Sequence, residues 1–438
     1  MKYASKISKF YLFKLSLPIF FANIAIPFVG IIDTALMGNL DNVKFLAAVS
    51  ISTSVITMIF WSFGFLRMGT VGLVSQALGK GDYREIVLIT LRNLSIALFF
   101  SVIIMFCKTP ILNTIQLFFE TDLETQNLIK KYISVRILST PAELIIYVFI
   151  GFFLGLQKTL ISSFLSSFFS IVNIIFSIYF VRYLNLDIFG VALGTVVSSY
   201  LTIAVFSVFI YFFMKKNFKV LPRYQRIFLP RKLIKLFNIN FNIFIRTVLL
   251  TFAFLWFTYQ SSLIGEEYVA VNAILIQFIL ISSFFLDGYA FSTEGAAGFI
   301  LGKKIKKSFI YLSRNSFELS FYSAIIISLI FLFSYREIIN LFTDIDYLRY
   351  LAYGFAIWVI IIPPVASFSY QYDGIFIGTS QTSELRNAMI LSVLLFLVSS
   401  VELTKYFGNN GLWLSLLFFM IIRSLSLSFY FSKILKRF

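Results

Sequence analysis

The chain has 438 residues, of which 59% are hydrophobic and 13% are charged, and its formal net charge is +17. A soluble domain carries about 25% charged residues, so this composition excludes a water-soluble fold and indicates segments that span a membrane. With one cysteine, Cys107, and no histidine, the sequence also excludes an intramolecular disulfide and any metal site or general base that depends on histidine.

Twelve apolar segments are long enough to be transmembrane helices. They do not alternate polar and apolar residues as strands of a barrel would, so we predict helices. The predicted spans are 12–38, 46–76, 86–108, 127–155, 159–183, 188–213, 233–263, 267–300, 308–334, 347–377, 383–405 and 410–432. No phosphate-binding loop of a nucleotide motor occurs, so the energy for pumping would come from an ion gradient or a separate subunit.

The second six spans repeat the first six at a constant offset. Gly374 follows Gly151 by 223 positions, and Gly302 follows Gly79 by the same number. Duplicated bundles around a central pathway are typical of transporters. We therefore predict an all-α integral membrane protein with twelve transmembrane helices in two pseudo-symmetric six-helix lobes. The lobes comprise residues 1–213 and 233–438, and the basic segment 214–232 is the predicted cytoplasmic linker.

Lysine and arginine gather at alternate loops, while the intervening loops are acidic or mixed. This pattern predicts a multi-pass protein of the cytoplasmic (inner) membrane with both termini in the cytoplasm. A nucleic-acid-binding surface is the alternative for so basic a chain, but every basic cluster falls at the end of a span. We therefore expect membrane lipid, and no nucleic acid, as a partner.

Asp33 is one of few acids inside an apolar span and lies five residues before Gly38, at the predicted outer end. A carboxylate in lipid costs several kcal/mol unless it is paired, hydrated or protonated, so a buried Asp33 would suit a proton carrier. The alternative is an aspartate near the helix end that faces external water. Pro18 and Pro27 lie in the same span and can kink it, either as static bends or as a hinge.

Other charged and polar side chains also fall within spans. Asp287 and Glu294 are two turns apart on one helical face, and Asp373 lies near the inner end of the tenth span. Such charges usually face the bundle interior and pair, so structural ion pairs are the simpler interpretation. The same applies to the basic residues and the remaining acid at or near span ends: Arg67, Arg136, Glu143, Arg246 and Arg423.

Asn173 and Thr195 supply oxygen atoms in the fifth and sixth spans. Oxygen ligands suit a hard cation such as Na⁺, although polar side chains in spans more often form hydrogen bonds between helices.

Several motifs together resemble the MATE (multidrug and toxic compound extrusion) transporters, and in particular their DinF-like branch. The resemblance covers nearly the whole chain. It rests on Leu17-Pro18, Ile32-Asp33-Thr34-Ala35, Phe65-Leu66-Arg67-Met68-Gly69-Thr70, Gly151 to Gln157, Asp287-Gly288 with Glu294, and Asp373-Gly374 to Gly378.

The resemblance implies export of small organic, often cationic, compounds in exchange for H⁺ or Na⁺, by alternation between outward and inward faces. It implies that Asp33 is the carboxylate of ion coupling and that the first helix bends at Pro18. Asn173 and Thr195 match polar members of an amino-terminal cation site. The family often has an acid four residues after that asparagine, where this chain has Ser177. Because fewer ligand charges weaken cation binding, the substitution favours H⁺ over Na⁺.

The sequence thus predicts an ion-coupled antiporter that is not an enzyme, needs no cofactor and no metal, and can work as a monomer. The possible charges of the carboxy-terminal lobe and the cleft are Asp287, Glu294, Arg67 and Asp373. A flippase for lipid-linked precursors from the same superfamily is the alternative function.

Overall fold

The computed structural model describes residues 8–38, 43–119, 122–218 and 226–438. Twelve stretches of helix in this part of the chain are long and apolar enough to cross a membrane, as the sequence predicts. The α-helices are α1 (Lys9–Gly38), α2 (Val43–Ser62), α3 (Phe65–Lys80), α4 (Tyr83–Phe106), α5 (Lys108–Phe118), α6 (Leu123–Arg136), α7 (Thr140–Gly155), α8 (Thr159–Ile178), α9 (Asp187–Phe218), α10 (Pro230–Ile264), α11 (Glu266–Lys303), α12 (Lys306–Phe342), α13 (Asp346–Gly378), α14 (Thr382–Phe407) and α15 (Asn409–Leu435).

Three of the spans contain a local interruption that hydropathy does not reveal. The span Lys44–Lys80 is divided between α2 and α3 near Gly64, and a 3₁₀ turn at Ile137–Ser139 joins α6 to α7 within the span Leu123–Gly155. The span Thr159–Tyr183 ends in a π-helical turn. The short helix α5 is also absent from the predicted spans, because its eleven residues are fewer than a membrane crossing requires.

The chain forms two compact units. The amino-terminal unit is Phe21–Phe237, and the carboxy-terminal unit is Asn238–Phe438 together with the start of α1 up to Phe20. In the carboxy-terminal unit the ring of Phe20 packs against Phe285 and Tyr289, with ring centroids 5.7 and 4.9 Å away. A Cβ at Gly288 would lie 2.2 Å from the Phe20 ring, so only glycine leaves room for it.

Glycine permits the closest helix contacts, and it does so at equivalent positions of both units. A Cβ built on Gly151 of α7 would lie 2.5 Å from the carbonyl oxygen of Arg67 on α3. A Cβ on Gly374 of α13 would lie 2.5 Å from the carbonyl oxygen of Ala290 on α11. Each residue of the second pair follows its equivalent by 223 positions. The backbone contact between these helices is therefore the same in both halves, as small residues at helix interfaces allow.

The described part of the predicted linker is bound to the amino-terminal unit. Helix α9 continues to Phe218, beyond the predicted end at 213, and residues 219–225 lie outside the described residues. The buried Arg92 of α4 donates hydrogen bonds to the carbonyl oxygens of Arg226 (2.8 Å) and Ile227 (3.0 Å). It also pairs with Glu85 at 3.1 Å, which in turn binds Lys232. One arginine thus fixes the chain just before α10.

Candidate cation-coupling site

Four residues that the sequence nominates form one polar cluster inside the amino-terminal unit. Asp33 comes from α1, Asn173 and Ser177 come from α8, and Thr195 comes from α9. All four are buried, and Asp33 is 6% exposed. The Ser177 hydroxyl is hydrogen-bonded to the Asp33 carboxylate and lies 3.5 Å from the amide oxygen of Asn173. The Asn173 amide donates to the Thr195 hydroxyl at 2.9 Å.

Close helix packing places Ser177 at this position. A Cβ on Gly194 of α9 would lie 2.8 Å from the backbone nitrogen of Ser177 and 2.9 Å from its hydroxyl oxygen. The glycine therefore lets α8 and α9 approach until side chains one turn apart on α8, Asn173 and Ser177, share one polar cluster.

Asp33 borders a cavity of about 410 Å³ within the same unit. Pro27 and Thr34 of α1 and Thr53 of α2 also line it. One carboxylate oxygen of Asp33, Oδ1, is buried and accepts no hydrogen bond. A carboxylate in this position combines little hydration with an adjacent cavity, a combination typical of a group that exchanges a proton or a cation.

An ion pair lies beside this cluster. The Arg136 guanidinium, at the end of α6, donates to Glu143 of α7 and to the Ser139 hydroxyl, and Ser139 donates to Glu143 at 2.7 Å. The Arg136 guanidinium carbon also lies 5.0 Å from the centre of the Phe60 ring. Arg136 and Asp33 interact electrostatically. The pairing of Arg136 with Glu143 agrees with the structural interpretation from the sequence, but their position next to Asp33 was not predicted.

The acid Asp373 is held in a second cluster, in the carboxy-terminal unit. Its Oδ2 accepts hydrogen bonds from Arg246 of α10 and Arg423 of α15, and all three side chains are buried. Tyr370 is hydrogen-bonded to Ser283 and interacts electrostatically with Asp287, Arg423 and Asp373. These charges form a structural ion cluster of the kind expected for buried charges in a membrane protein.

The remaining nominated residues are Glu294, Arg67 and Pro18. Glu294 is 1% exposed, and its carbonyl oxygen faces Gly378, while the neighbouring Thr293 donates to Gln371 at 3.1 Å. Arg67 is buried and interacts electrostatically with Tyr147 of α7. Helix α1 continues through Pro18 and Pro27 without interruption, so the functional bend at Pro18 stays a prediction. Among the described residues, no three histidine, cysteine, aspartate or glutamate side chains gather as a metal site.

The positions equivalent to Asp33 and Ser177 are Trp256 and Ser400, each 223 residues later. In the carboxy-terminal unit the indole N–H of Trp256 donates to the Ser400 hydroxyl at 2.9 Å. Equivalent helices therefore make an equivalent side-chain contact in the two units. The amino-terminal unit has a carboxylate at this position, that of Asp33, whereas the carboxy-terminal unit has an indole ring.

Comparison with known proteins shows which proteins this chain resembles. The MatE family model matches residues 18–179. DNA damage-inducible protein F of Escherichia coli K12 is 29% identical over 417 residues, which cover 95% of this chain and 90% of that protein. The chain is thus similar to MATE transporters, over part of its length to the family model and over nearly its whole length to this relative.

Two further matches agree with this family. The multidrug export protein MepA of Staphylococcus haemolyticus is 26% identical over 46% of this chain and 44% of that protein. A solved structure described as the outward-facing conformation of a multidrug resistance MATE family transporter has a TM-score of 0.88 at 17% identity, over 98% of this chain and 96% of that one. This structural likeness supports the twelve-helix fold. The matches are to transporters rather than enzymes, and they do not favour the flippase alternative.

Proposed function

We propose that this transporter is an antiporter that exchanges H⁺ for small organic, often cationic, compounds by alternating access. The observation that carries the proposal is the buried Asp33 carboxylate at the edge of a cavity of about 410 Å³. A buried carboxylate favours its neutral form, and proton binding therefore changes the charge of the cavity wall.

Asp33 is a better candidate than two other acids inside the protein, because each of those has fixed partners. Asp373 is bound by two arginines, and Glu143 is bound by Arg136 and Ser139. Neutralising either acid would leave guanidinium groups inside the protein uncompensated, at a high free-energy cost. Asp33 instead hydrogen-bonds with a neutral hydroxyl and leaves Oδ1 without a partner, so a proton can be added there without breaking an ion pair.

H⁺ is favoured over Na⁺ as the coupling ion by the chemistry of the same cluster. A Na⁺ site requires several free oxygen ligands and gains affinity from each negative charge. The cluster holds one carboxylate, and its Asn173 and Thr195 side chains are already hydrogen-bonded to each other.

The proposed cycle begins with the outward-facing form, in which Asp33 takes up a proton and substrate is released. The neutral side chain then allows α1 to bend or repack, at Pro18 in our interpretation, and the transporter turns inward. Proton release to the cytoplasm restores the charge and permits the next substrate to bind. Export requires proton and substrate to bind competitively or in sequence.

The positive-inside pattern supports insertion in the cytoplasmic membrane with both termini in the cytoplasm. Each unit encloses its own polar clusters with its own side chains. We therefore propose that a single copy in the lipid bilayer transports small organic substrates without a cofactor.

The test measures ethidium efflux from proteoliposomes under an imposed pH gradient or an imposed Na⁺ gradient. We expect the pH gradient to drive efflux by wild type and Asp33→Asn to abolish it. Asp122→Asn is the matched control. Its ion pair with Lys44 holds the pKa of Asp122 down to about 2, so this exposed group stays ionised throughout the assay, and asparagine can still cap α6.

Two results would contradict the proposal. Unchanged proton-driven efflux in Asp33→Asn would remove Asp33 from the mechanism. Efflux driven by a Na⁺ gradient and not by a pH gradient would show that the coupling ion is Na⁺ and not H⁺.

A further inference from the structure

Helix α1 belongs to both compact units, and its start is held within the carboxy-terminal unit. One face of this start is buried, at positions Leu12, Ser16, Ile19 and Phe20. In the first turn, the ammonium group of Lys9 pairs with Glu318 of α12 at 2.6 Å. The residues before Pro18 and those directly after it are therefore attached to the same unit.

The seat of Phe20 is one face of α11, formed by Phe285, Gly288 and Tyr289. These residues lie at helical positions i, i+3 and i+4, and the Phe20 ring packs against both aromatic rings above the glycine. The Tyr289 hydroxyl accepts a hydrogen bond from Ser323 of α12 at 2.8 Å, which fixes its ring. The position 223 residues before Gly288 is Phe65. The seat is therefore not part of the glycine framework that the two units share.

The middle of α1 is packed more loosely than its start. Most described side chains of residues 21–32 are at least partly exposed, and a Cβ at Gly30 would meet no atom of the described residues within 4 Å. At the end of the helix, Asp33, Leu36 and Met37 are buried again, in the amino-terminal unit. Helix α1 is thus held at its two ends by different units.

Pro18 is the weak point of the part that is held in the carboxy-terminal unit. Proline removes one backbone hydrogen bond of the helix. The nearby Ser16 hydroxyl donates to the carbonyl oxygens of Leu12 (3.1 Å) and Phe13 (2.9 Å), a contact that often bends helices. Phe20 lies in the turn after Pro18. A bend at Pro18 therefore moves Phe20 out of its seat if the first turn stays attached to α12.

Release of the Phe20 ring has a low free-energy cost in a bilayer. The side chain has no polar group, and its ring meets those of Phe285 and Tyr289 at angles of 49° and 74°. Lipid chains are as apolar as the seat, so release loses packing contacts but exposes no apolar surface to water. Two ring contacts still favour the seated position at least about fivefold. Such a contact holds the helix straight and can be opened by a change of charge on the same helix.

We propose that Phe20 is a positioning residue that holds α1 straight until Asp33 is protonated, and that it leaves its seat above Gly288 when the helix bends at Pro18. Asp33 follows Phe20 by thirteen residues, or about 20 Å of continuous helix. The proposal rests on the proposed function, in which the charge of Asp33 controls the bend. It adds the contact that has to open.

The first test replaces this contact by a disulfide. A Cβ at Gly288 would lie 3.4 Å from Cγ of Phe20, the atom that a cysteine sulfur replaces, so cysteines at both positions can be joined. The pair Phe20→Cys and Gly288→Cys is made in a Cys107→Ser background, oxidised with copper phenanthroline, and checked for the bond by mass spectrometry. Oxidation should lower proton-driven ethidium efflux from proteoliposomes at least about tenfold, because the bonded helix cannot leave the seat. Dithiothreitol should restore it, and each single cysteine is the control.

The same cysteine pair tests whether Asp33 controls the seat. Asp33→Asn makes the side chain permanently neutral. The disulfide should then form at least about fivefold more slowly, because the released position is more populated. A contact with a structural role alone would give the same rate with aspartate and with asparagine.

A third measurement needs no disulfide. Phe20→Ala removes the ring, and Gly288→Ala displaces it, because the added Cβ would lie 2.2 Å from the ring. Each should raise ethidium efflux without a pH gradient at least about fivefold, since α1 can then bend without a proton. The matched controls are Phe10→Ala, at an exposed position of α1, and Gly354→Ala, whose Cβ would meet nothing within 4 Å. If Gly288→Ala does not fold, the double variant with Phe20→Ala relieves the crowding.

The proposal is overturned if the fully oxidised pair transports as fast as the reduced pair, the result expected if α1 bends at Pro27 and Phe20 stays seated. It is also overturned if Phe20→Ala depends on the pH gradient as strictly as wild type does, or if Asp33→Asn leaves the rate of disulfide formation unchanged.

Failure of this inference can be told apart from failure of the proposed function. If Asp33→Asn abolishes transport and oxidation of the cysteine pair does not, the coupling role of Asp33 stands and the role of Phe20 is wrong. If oxidation blocks transport and Asp33→Asn does not, Phe20 leaves its seat during transport but Asp33 does not control it.

Discussion

Replacement of Gly378 by alanine tests the close contact between α13 and α11. A Cβ at this position would lie 2.2 Å from the carbonyl oxygen of Glu294, whereas ordinary contact begins at 3.4 Å. The helices would have to separate by about 1.2 Å, the difference between these distances. Neither the added Cβ nor the carbonyl oxygen of Glu294 can move away by a side-chain rotation. Overpacking costs about 1–3 kcal/mol, and contact with a rigid backbone places this case near 3 kcal/mol, or about a hundredfold in the folding equilibrium.

Gly354→Ala on the same helix is the matched control, because its Cβ would meet nothing within 4 Å. Alanine there should stabilise the helix by up to about 1 kcal/mol. Unfolding in mixed detergent micelles, followed by circular dichroism, measures both variants. Equal stability of Gly378→Ala and Gly354→Ala would refute the packing argument.

Two further variants test the buried arginines, and exposed Arg314→Gln is the control for both, with an expected change within about 0.5 kcal/mol. Asp373→Asn should lower the free energy of unfolding by about 3–5 kcal/mol in the same assay, because two buried guanidinium groups lose their counter-charge; a loss no larger than that of the control would contradict this. Arg92→Met should make trypsin cleave the linker near Ile227 several-fold faster on a protein gel, because the carbonyl contacts that fix this segment are lost. Cleavage at the wild-type rate would show that Arg92 does not restrain the linker.

The twelve spans and their repeat could be predicted from the sequence because both depend on local hydropathy and spacing. The break near Gly64 could not, because hydropathy averaged along an apolar span does not distinguish a broken helix from a continuous one. Helix α9 ends at Phe218, five residues beyond the predicted end of the sixth span at 213. The lysines that mark the end of a membrane crossing are also good helix formers, so the helix continues through them.

The site was predicted in part. Asp33, Asn173 and Thr195 could be nominated as polar residues in apolar spans, Ser177 only through the family resemblance, and the structure brings the four together. The partners of Asp373 could not be assigned, because Arg246 is 127 positions away along the chain. Arg136 and Glu143 are only seven residues apart, a spacing that does suggest a pair. The 3₁₀ turn between them, which hydropathy does not reveal, separates the helices that carry the two side chains.

The glycine contacts at Gly151 and Gly374 have a consequence for how the two halves diverged. Both halves have glycine at these two points, where one helix backbone touches another, whereas charged side chains at other equivalent positions differ. The positions equivalent to Arg246, Asp373 and Arg423 hold Asn23, Ile150 and Tyr200, and Trp256 occupies the position equivalent to Asp33. The glycines keep the helix packing the same in both halves, so each half could acquire its own charged residues without a change in that packing. A search for ancient duplications among membrane proteins should therefore align glycines first and ionisable residues last.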